Sequence, residues 1–525
     1  MSRLHRALIS ASFGYLQYAI ALISGIVLVP LVLQHVGARA YGLWLASGEL
    51  LGYAAMVDLG VLGVLPWLFA EADGRRDRDA MRQLLVNGLV VGALVGGGYA
   101  LLAAGLWLTV PHAFGLGAAD RHVLTTPLAM LVMATMVAYP FRVFSGLLAG
   151  VQDVTFNGRL AVAQSAIGVA VTLVLLHRGH GLIAVSAASV TSMLLVSAAA
   201  LARVAALAPD LLTGWPRPSW VGVRTLLTSG AGVWLSGLGW QVTAASNGLV
   251  IAGLGRPEWV AVYACTAKMA TMATQIAWIV PDAGLVGLAQ VAGEGHGTQR
   301  VRGLVAMMLR LHLLLAGGAA CVLLAVNPAF VAWWVGPTLF GGVHLSTWLA
   351  LGVMTASLAH GLLAAASVLG HRLRVGVLTL ASGGAQVALA WMLGRRWGLP
   401  GIAAASLVSA LLIVIPSGVV ALRPATAMTT SSLWSEIVRP WAVRLGPLGL
   451  LSGVAGWWHQ TLGLAGAAPL TACLGLAYLW HMRPLYAGLP VDVPIGPRLS
   501  GWLTSLGLLT GNDDRRKKLT SSALT

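Results

Sequence analysis

About six ionisable side chains interrupt stretches of this sequence that are otherwise apolar: Glu49, Asp58, Arg142, Lys268, Asp282 and Arg310. A charge at the centre of a bilayer costs roughly 2.5–3.5 kcal/mol on insertion scales, so each marks a place where an ion, a charged cargo or a gate is handled, unless the side chain reaches an interface. Arg142 and Arg310 sit about eight residues from the cytoplasmic ends of their segments, close enough for a long stem to snorkel. Asp58 heads the glycine-rich run DLGVLG, where a turn-making role competes with a chemical one. Lys268, Thr271, Gln275, Trp278 and Asp282 recur at steps of three and four and so share one helical face. Ser236, Trp240, Thr243 and Asn247 repeat that spacing, and Tyr15 and Tyr18 share a face earlier on. A polar stripe inside lipid looks either into a cavity or onto a neighbouring helix. Two adjacent stripes mark the segments that carry Asn247 and Lys268 as the expected cavity lining.

The elements that must hold these groups are membrane helices. Of 525 residues 58% are hydrophobic and 9% charged, and the 65 glycines take the apolar-plus-glycine share to roughly 70%, against about 45–50% in soluble domains. A soluble enzyme is excluded, because 16 acids and 32 bases cannot clothe the water-facing surface of a chain this long. Disordered and disulfide-stapled classes fall to the same arithmetic. Cys265, Cys321 and Cys473 lie in apolar stretches with no metal-ligand spacing and read as small core residues. With about 20 apolar residues needed to cross, the sequence predicts spans near 10–33, 41–70, 83–110, 123–150, 160–177 and 181–207. A second set follows near 225–253, 259–288, 303–327, 344–370, 376–394 and 399–421, with a last pair near 444–462 and 465–482. The expected class is an all-α polytopic membrane protein of about 14 transmembrane helices.

Loops after even-numbered spans, together with both ends of the chain, hold 23 of the 32 Lys and Arg residues, among them the Arg75, Arg76, Arg78 and Arg82 cluster; the opposite loops hold six. By the positive-inside rule both termini are cytoplasmic. The net charge of +16 is thus mostly a topological signal, and no nucleic-acid partner is expected. The basic start Met1–Arg6 precedes an apolar run too long for a signal-peptide core, so it reads as a retained first span. Leu499, Trp502, Leu503, Leu506 and Leu509 fall on one face, suggesting a tail on the lipid headgroups before a polar end.

The stretch from Gly150 to Ser186 matches that from Gly370 to Ser406 at a constant offset of 220: Gly181 pairs with Gly401, Ala184 with Ala404 and Ser186 with Ser406. Earlier, Gly37 in HVGARAYGLW resembles Gly255 in GLGRPEWVAVY. Two six-helix bundles repeated in the same sense would rock about a midplane site, which is transporter geometry. The expected domains are an N-terminal lobe at 1–215, a second lobe at 216–430, an extra helix pair at 431–482 and a cytoplasmic tail at 483–525. Glu49 and Lys268 fall at equivalent places in the repeats, about three turns from the outer face, and a matched pair costs less than a lone buried charge. They are expected to form an ion pair closing an external gate.

No P-loop, HExxH, GxSxG elbow or Cys/His pair at ligand spacing is present, so no cofactor and no metal site is expected from motifs, and an ATP-driven pump is disfavoured. The longest outer loop, near 328–343, carries no ionised residue, which argues against a membrane-bound polymerase or ligase.

The run VPLVLQHVGARAYGLWLASGELLGYAAMVDLGVLGVLPWLFAEADGRRD, Val29 to Asp77, resembles the start of bacterial polysaccharide-biosynthesis membrane proteins, the O-antigen and exopolysaccharide flippases of the multidrug/oligosaccharidyl-lipid/polysaccharide (MOP) exporter superfamily. The resemblance rests on Gly37 to Tyr41 with Gly42, on Asp58-Leu59-Gly60, and on the acidic-basic loop Glu71 to Arg78; SGLLAGVQDVTFNGR, GHGLIAVSAAS and GLPGIAAAS extend it over most of residues 10–425. The sequence departs from the family pattern at Pro66 and Trp67, where a basic residue is expected. The resemblance implies two MATE-like six-helix bundles and a flippase that turns an undecaprenyl-diphosphate-linked oligosaccharide across the bacterial inner membrane, with membrane lipids and a polysaccharide polymerase as further partners. On that reading Arg142, Lys268 and Arg310 meet the diphosphate, while Tyr15, Tyr18, Trp240, Asn247, Gln275 and Trp278 bind sugars. Glu49, Asp58 and Asp282 are then the proton or ion carriers. A drug exporter of the same superfamily is the competing reading, and three intramembrane bases against three acids do not separate the two.

Overall fold

The computed structural model of the chain describes residues 3–113, 116–244, 246–293 and 297–486; the expected headgroup tail around Leu499 to Leu509 lies outside these. Among the described residues the structure is helical, with no strand. Among the described residues ten helices are long and apolar enough to cross a membrane, and the chain is a multi-pass membrane protein. Contacts divide it into two compact units, the first comprising residues 1–264 and 376–402, the second 265–375 and 403–525. These units follow packing, whereas the expected lobes follow the sequence repeat.

The first unit opens with α1 (Arg3–Ala55), a helix interrupted at Gly37, whose φ of 79° and ψ of 163° no side-chain-bearing residue adopts readily. This break separates the first two expected spans. The second expected span, 41–70, is itself broken: a 3₁₀ turn at Met56–Asp58 leads through Leu59 and Gly60, both at positive φ, into α2 (Val61–Gly74). Asp58 makes the turn by accepting the Gly60 N–H at 2.9 Å. Carbonyls at the break gain side-chain donors: Trp234 Nε1 donates to Met56 O at 2.7 Å, beside the Leu59 N–H, and the Tyr139 hydroxyl to Ala55 O at 3.4 Å.

Four helices follow, α3 (Arg78–Ala113), α4 (Ala118–Gly150), α5 (Val154–His177) and α6 (Leu182–Leu207). Small residues set their spacing with α2: a Cβ on Gly88 would meet Val143, one on Gly146 would meet Leu65, and one on Gly150 would meet Phe69. The core here is Val61, Leu65, Phe69, Val143, Phe144, Leu147 and Leu148. The expected seventh span, 225–253, ends early. Helix α7 (Trp220–Ala244) stops and a short α8 (Asn247–Gly253) restarts, so the stripe from Ser236 to Asn247 does not run along one helix. The next helix, α9 (Glu258–Gly293), begins in this unit after Gly255, whose φ of 79° equals that of Gly37.

The second unit holds the rest of α9, then α10 (Gly297–Trp334) and α11 (Val343–Val368). Helix α12 (Arg372–Trp397) lies mainly in the first unit, and α13 (Leu399–Ser409) returns to the second. A π-helical turn at Ala410–Val414 joins α13 to α14 (Ile415–Thr426). Thr429 and Ser432 form a capping box at α15 (Thr430–Leu433). After a second π-helical turn, α16 (Arg439–Tyr486) folds back on itself at Gly463 (φ 65°, ψ −177°). Both halves of this hairpin are helical, and Gly463–Tyr486 is one of the ten apolar spans. It seats on α10 by close approach: a Cβ on Gly456 would lie 2.0 Å from Leu324 O, and one on Gly317 would lie 2.7 Å from the Tyr478 hydroxyl. Cys265 and Cys321 are buried as expected of core residues, whereas Cys473 is exposed on this hairpin.

Candidate functional site

Of the charges expected inside the membrane, Asp282 acquires the densest set of partners. It follows Pro281 on α9, and a proline there removes the N–H that would bond the carbonyl one turn back. Trp278, four residues earlier on the same face, donates its indole N–H to Ser357 Oγ on α11 at 3.1 Å. Its ring stacks on His360 of α11 with centroids 3.8 Å apart and planes 3° from parallel. Held in this way, His360 places Nε2 3.1 Å from Asp282 Oδ1 and 3.0 Å from Oδ2.

A third group comes from α10. His312 is fully buried, and its Nδ1 lies 2.9 Å from the carbonyl of Met308 one turn back. Its Nε2 lies 3.7 Å from Asp282 Oδ1 and makes no hydrogen bond. Gly361 gives the ring its place, since a Cβ there would stand 2.9 Å from His312 Nδ1. Leu309, Leu313, Leu358 and Leu362 surround the pair of histidines in sequence and belong to one buried cluster. Asp282 and His360 remain partly open, with side-chain exposures of 34% and 26%.

The other expected residues occupy separate places. In the first unit the Glu49 carboxylate accepts the N–H groups of Gly248 at 3.3 Å and Leu249 at 2.9 Å, capping α8. Nearby, Tyr53 hydrogen-bonds Ser246, and Asn247 Nδ2 donates to the Tyr263 hydroxyl at 3.2 Å. Asp58 serves the turn already described. Arg142 is exposed, its guanidinium 5.2 Å from the Tyr139 ring centroid. Trp240 is 53% exposed. In the second unit Lys268 is half-buried and Gln275 exposed on α9. Arg310 donates to the carbonyl of Glu436 at 3.3 Å and borders a cavity of about 270 Å³ with Trp441 and Pro484. The side chains of Tyr15 and Tyr18 are outside the described residues.

Two of the cavities among the described residues lie within the first unit. One of about 270 Å³ is bounded by the second half of α1 with α3 and α4, and Leu43, Leu50, Leu106, Trp107, Leu128 and Met133 make it almost wholly apolar. The other, about 450 Å³, has the opposite character: Asp73, Arg78, Gln152, Asp153 and Arg203 border it, and Arg203 Nε donates to Asp153 Oδ2 at 2.8 Å.

His312 and His360 were not singled out by sequence. Thirteen histidines are scattered along the chain, and the three members of the cluster sit on three different helices, so no ligand spacing links them. The available signal was that both fall inside expected spans, where an ionisable imidazole has the same claim to attention as a carboxylate.

No known family model matches the sequence, and no curated protein matches it. Solved structures do. A multidrug resistance MATE family transporter of the MOP superfamily, in an inward-facing conformation, superposes with a TM-score of 0.62 at 16% identity, covering 78% of this chain and 97% of the other. The chain shares the fold of this transporter. A second solved structure, the lipid II flippase MurJ in an inward closed conformation, matches with a TM-score of 0.61 at 11% identity, over 91% of this chain and 99% of its own. A MOP superfamily transporter from Pyrococcus furiosus, described as having a binding pocket of reverse polarity, matches with a TM-score of 0.51 at 17% identity, over 80% of this chain and 93% of the other. The flippase match thus takes in a larger share of this chain than the MATE match, 91% against 78%.

Proposed function

We propose that the protein is a flippase of the bacterial inner membrane, with both termini cytoplasmic, which moves undecaprenyl-diphosphate-linked oligosaccharide repeat units to the periplasmic leaflet by alternating access. The observation that carries this reading is the extent of the match to a lipid flippase, 91% of this chain against 78% for the MATE transporter. The Val29–Asp77 motif supports it from the sequence side. The apolar cavity walled by Leu43, Leu106 and Leu128 has the character needed for an isoprenoid tail, which need not leave lipid while the head crosses.

In this reading the repeats 1–215 and 216–430 are the rocking lobes, and the 431–482 pair is an accessory to the second. Arg142, Lys268 and Arg310 meet the diphosphate along its path, and Tyr15, Tyr18, Trp240, Asn247, Gln275 and Trp278 contact sugar rings. Glu49 and Lys268 close the external gate, and Asp58 and Asp282 carry the coupling ion. A polysaccharide polymerase receives the delivered units.

The second reading, an ion-coupled multidrug exporter, draws support from the MATE likeness at a TM-score of 0.62. Deleting the gene separates the two. A flippase leaves lipid-linked repeat units on the cytoplasmic leaflet and depletes the surface glycan. Loss of drug efflux with a normal glycan overturns the first reading.

A further inference from the structure

Asp282, His312 and His360 converge from α9, α10 and α11 within the second unit, and their donor atoms all lie within 4.8 Å of one another. The protonation of one ring follows from its partner. The Met308 carbonyl can only accept, so His312 Nδ1 carries the hydrogen of that 2.9 Å contact. In the neutral form of that ring Nε2 presents a lone pair to Asp282 Oδ1, 3.7 Å away, from a fully buried position. Two electron-rich atoms face each other without a hydrogen between them, and Nε2 has no other partner. A buried acceptor left in this state is costly, and the separation exceeds the roughly 2.7–2.9 Å of a charge-assisted hydrogen bond. A cation shared by the two atoms resolves the conflict.

The donor set indicates which cation. Ligand atoms about 2.0–2.1 Å from a zinc-like ion stand roughly 2.9–3.4 Å apart in octahedral or tetrahedral arrangements. The 3.0 Å from His360 Nε2 to Asp282 already meets that, the 3.7 Å from His312 Nε2 to Asp282 exceeds it by a few tenths of an ångström, and the two imidazole nitrogens, within 4.8 Å of each other, would draw together on the ion. Two imidazoles and one carboxylate suit first-row divalent metals, whereas sodium, magnesium and calcium favour all-oxygen sets. Outer contacts have the form that metal-binding histidines use: His312 donates its remote N–H to a backbone carbonyl, and His360 is fixed in plane by Trp278, itself anchored on Ser357. The partial exposure of Asp282 and His360 leaves a way in and an open coordination position.

We propose that Asp282, His312 and His360 form a binding site for a first-row divalent transition metal ion, with His312 Nε2, His360 Nε2 and the Asp282 carboxylate as ligands. The ion ties three helices of the second unit together, so it stabilises the conformation in which they are joined. The site shares Asp282 and Trp278 with the flippase reading, but its test reads bound metal and so fails separately from that reading.

The test uses the full-length protein, purified without a polyhistidine tag in detergent or nanodiscs, stripped with chelator and titrated with Zn²⁺ alone. Elemental analysis after desalting is expected to give one zinc per chain, and Zn²⁺ is expected to raise the unfolding temperature. His360→Gln and Asp282→Asn, at partly exposed positions, are expected to weaken binding by roughly tenfold or more, since even outer-shell changes cost 10–100-fold. His312→Gln should do the same, with the two other variants guarding against misfolding at that buried site. His35→Gln, an exposed histidine of the first unit, is the control and should bind as the unmodified protein does. Co²⁺ in place of zinc should develop visible absorption that His360→Gln loses. Zinc content no higher in the unmodified protein than in His360→Gln, or equal loss in His35→Gln, overturns the proposal and leaves a protonated histidine as the cation.

Discussion

The carboxylate of Glu49 and the backbone N–H of Leu249 meet at 2.9 Å, so a charge from the second predicted span caps a helix 200 residues further on. Replacing a capping side chain with alanine costs about 1–2 kcal/mol. Glu49→Ala is therefore expected to lower the thermal stability of the purified protein, and Glu49→Gln, which keeps one acceptor oxygen, to lower it less. Equal melting of all three would remove the capping role. Gly248→Ala should act in the same direction, because its Cβ would come 2.6 Å from Glu49 Oε1.

The proposed gate makes a separate demand on the same residue. Glu49→Lys and Lys268→Glu are each expected to impair complementation of a deletion strain, and the double exchange to recover part of it. Recovery should be incomplete, because a cation at position 49 would face the N-terminus of α8, where the helix favours an anion. No recovery at all, with both single variants folded, would end the pairing.

Gly60 and Gly230 lock the broken second span against α7. A Cβ on Gly60 would stand 2.3 Å from Gly230 O, and one on Gly230 would stand 2.4 Å from Leu59 O. Gly60 also has a φ of 75°. Gly60→Ala is expected to destabilise by about 2 kcal/mol or more through strain and crowding together. Gly230→Ala disturbs the same contact, so the double variant should cost less than the two single costs added. Strict additivity in thermal unfolding would show that the two glycines act separately.

The hairpin of α16 is tied to α10 by the Tyr478 hydroxyl, which donates to Leu314 O at 2.6 Å in a buried position. Tyr478→Phe is expected to cost about 1 kcal/mol, the net worth of such a bond. Gly317→Ala should cost more in the unmodified protein than in the Tyr478→Phe background, since the atom its Cβ would strike is the missing hydroxyl. A cycle with no coupling would argue that the hairpin seats differently.

Several turns were legible because a single residue type carries them. Gly37 and Gly255, matched in sequence at an offset of 218, both adopt φ 79°. The DLG element reads as a turn maker, and Asp58 holds the Gly60 N–H. The breaks within two expected spans were not legible. At Met56–Gly60 the Asp58-Leu59-Gly60 element marked a turn but not a break in the helix, because the groups that hold the opened backbone, Trp234 from α7 and Tyr139 from α4, are far away in sequence. The Lys268–Asp282 stripe was correctly spaced but not uniform in environment: Gln275 is exposed, while Trp278 and Asp282 engage α11.

By itself the sequence determined that this chain is built of membrane helices and where several of its turns fall, because transfer of apolar side chains from water and the positive φ open to glycine are properties of residues and near neighbours. It also marked Asp282 as a charge needing company. Only the tertiary structure decided that the company is His312 and His360, since helical periodicity relates residues three and four apart on one helix and says nothing about which face a second helix presents. That choice was made by packing, where Gly361 admits the His312 ring and Trp278 stacks on His360 to bring three distant helices to one carboxylate.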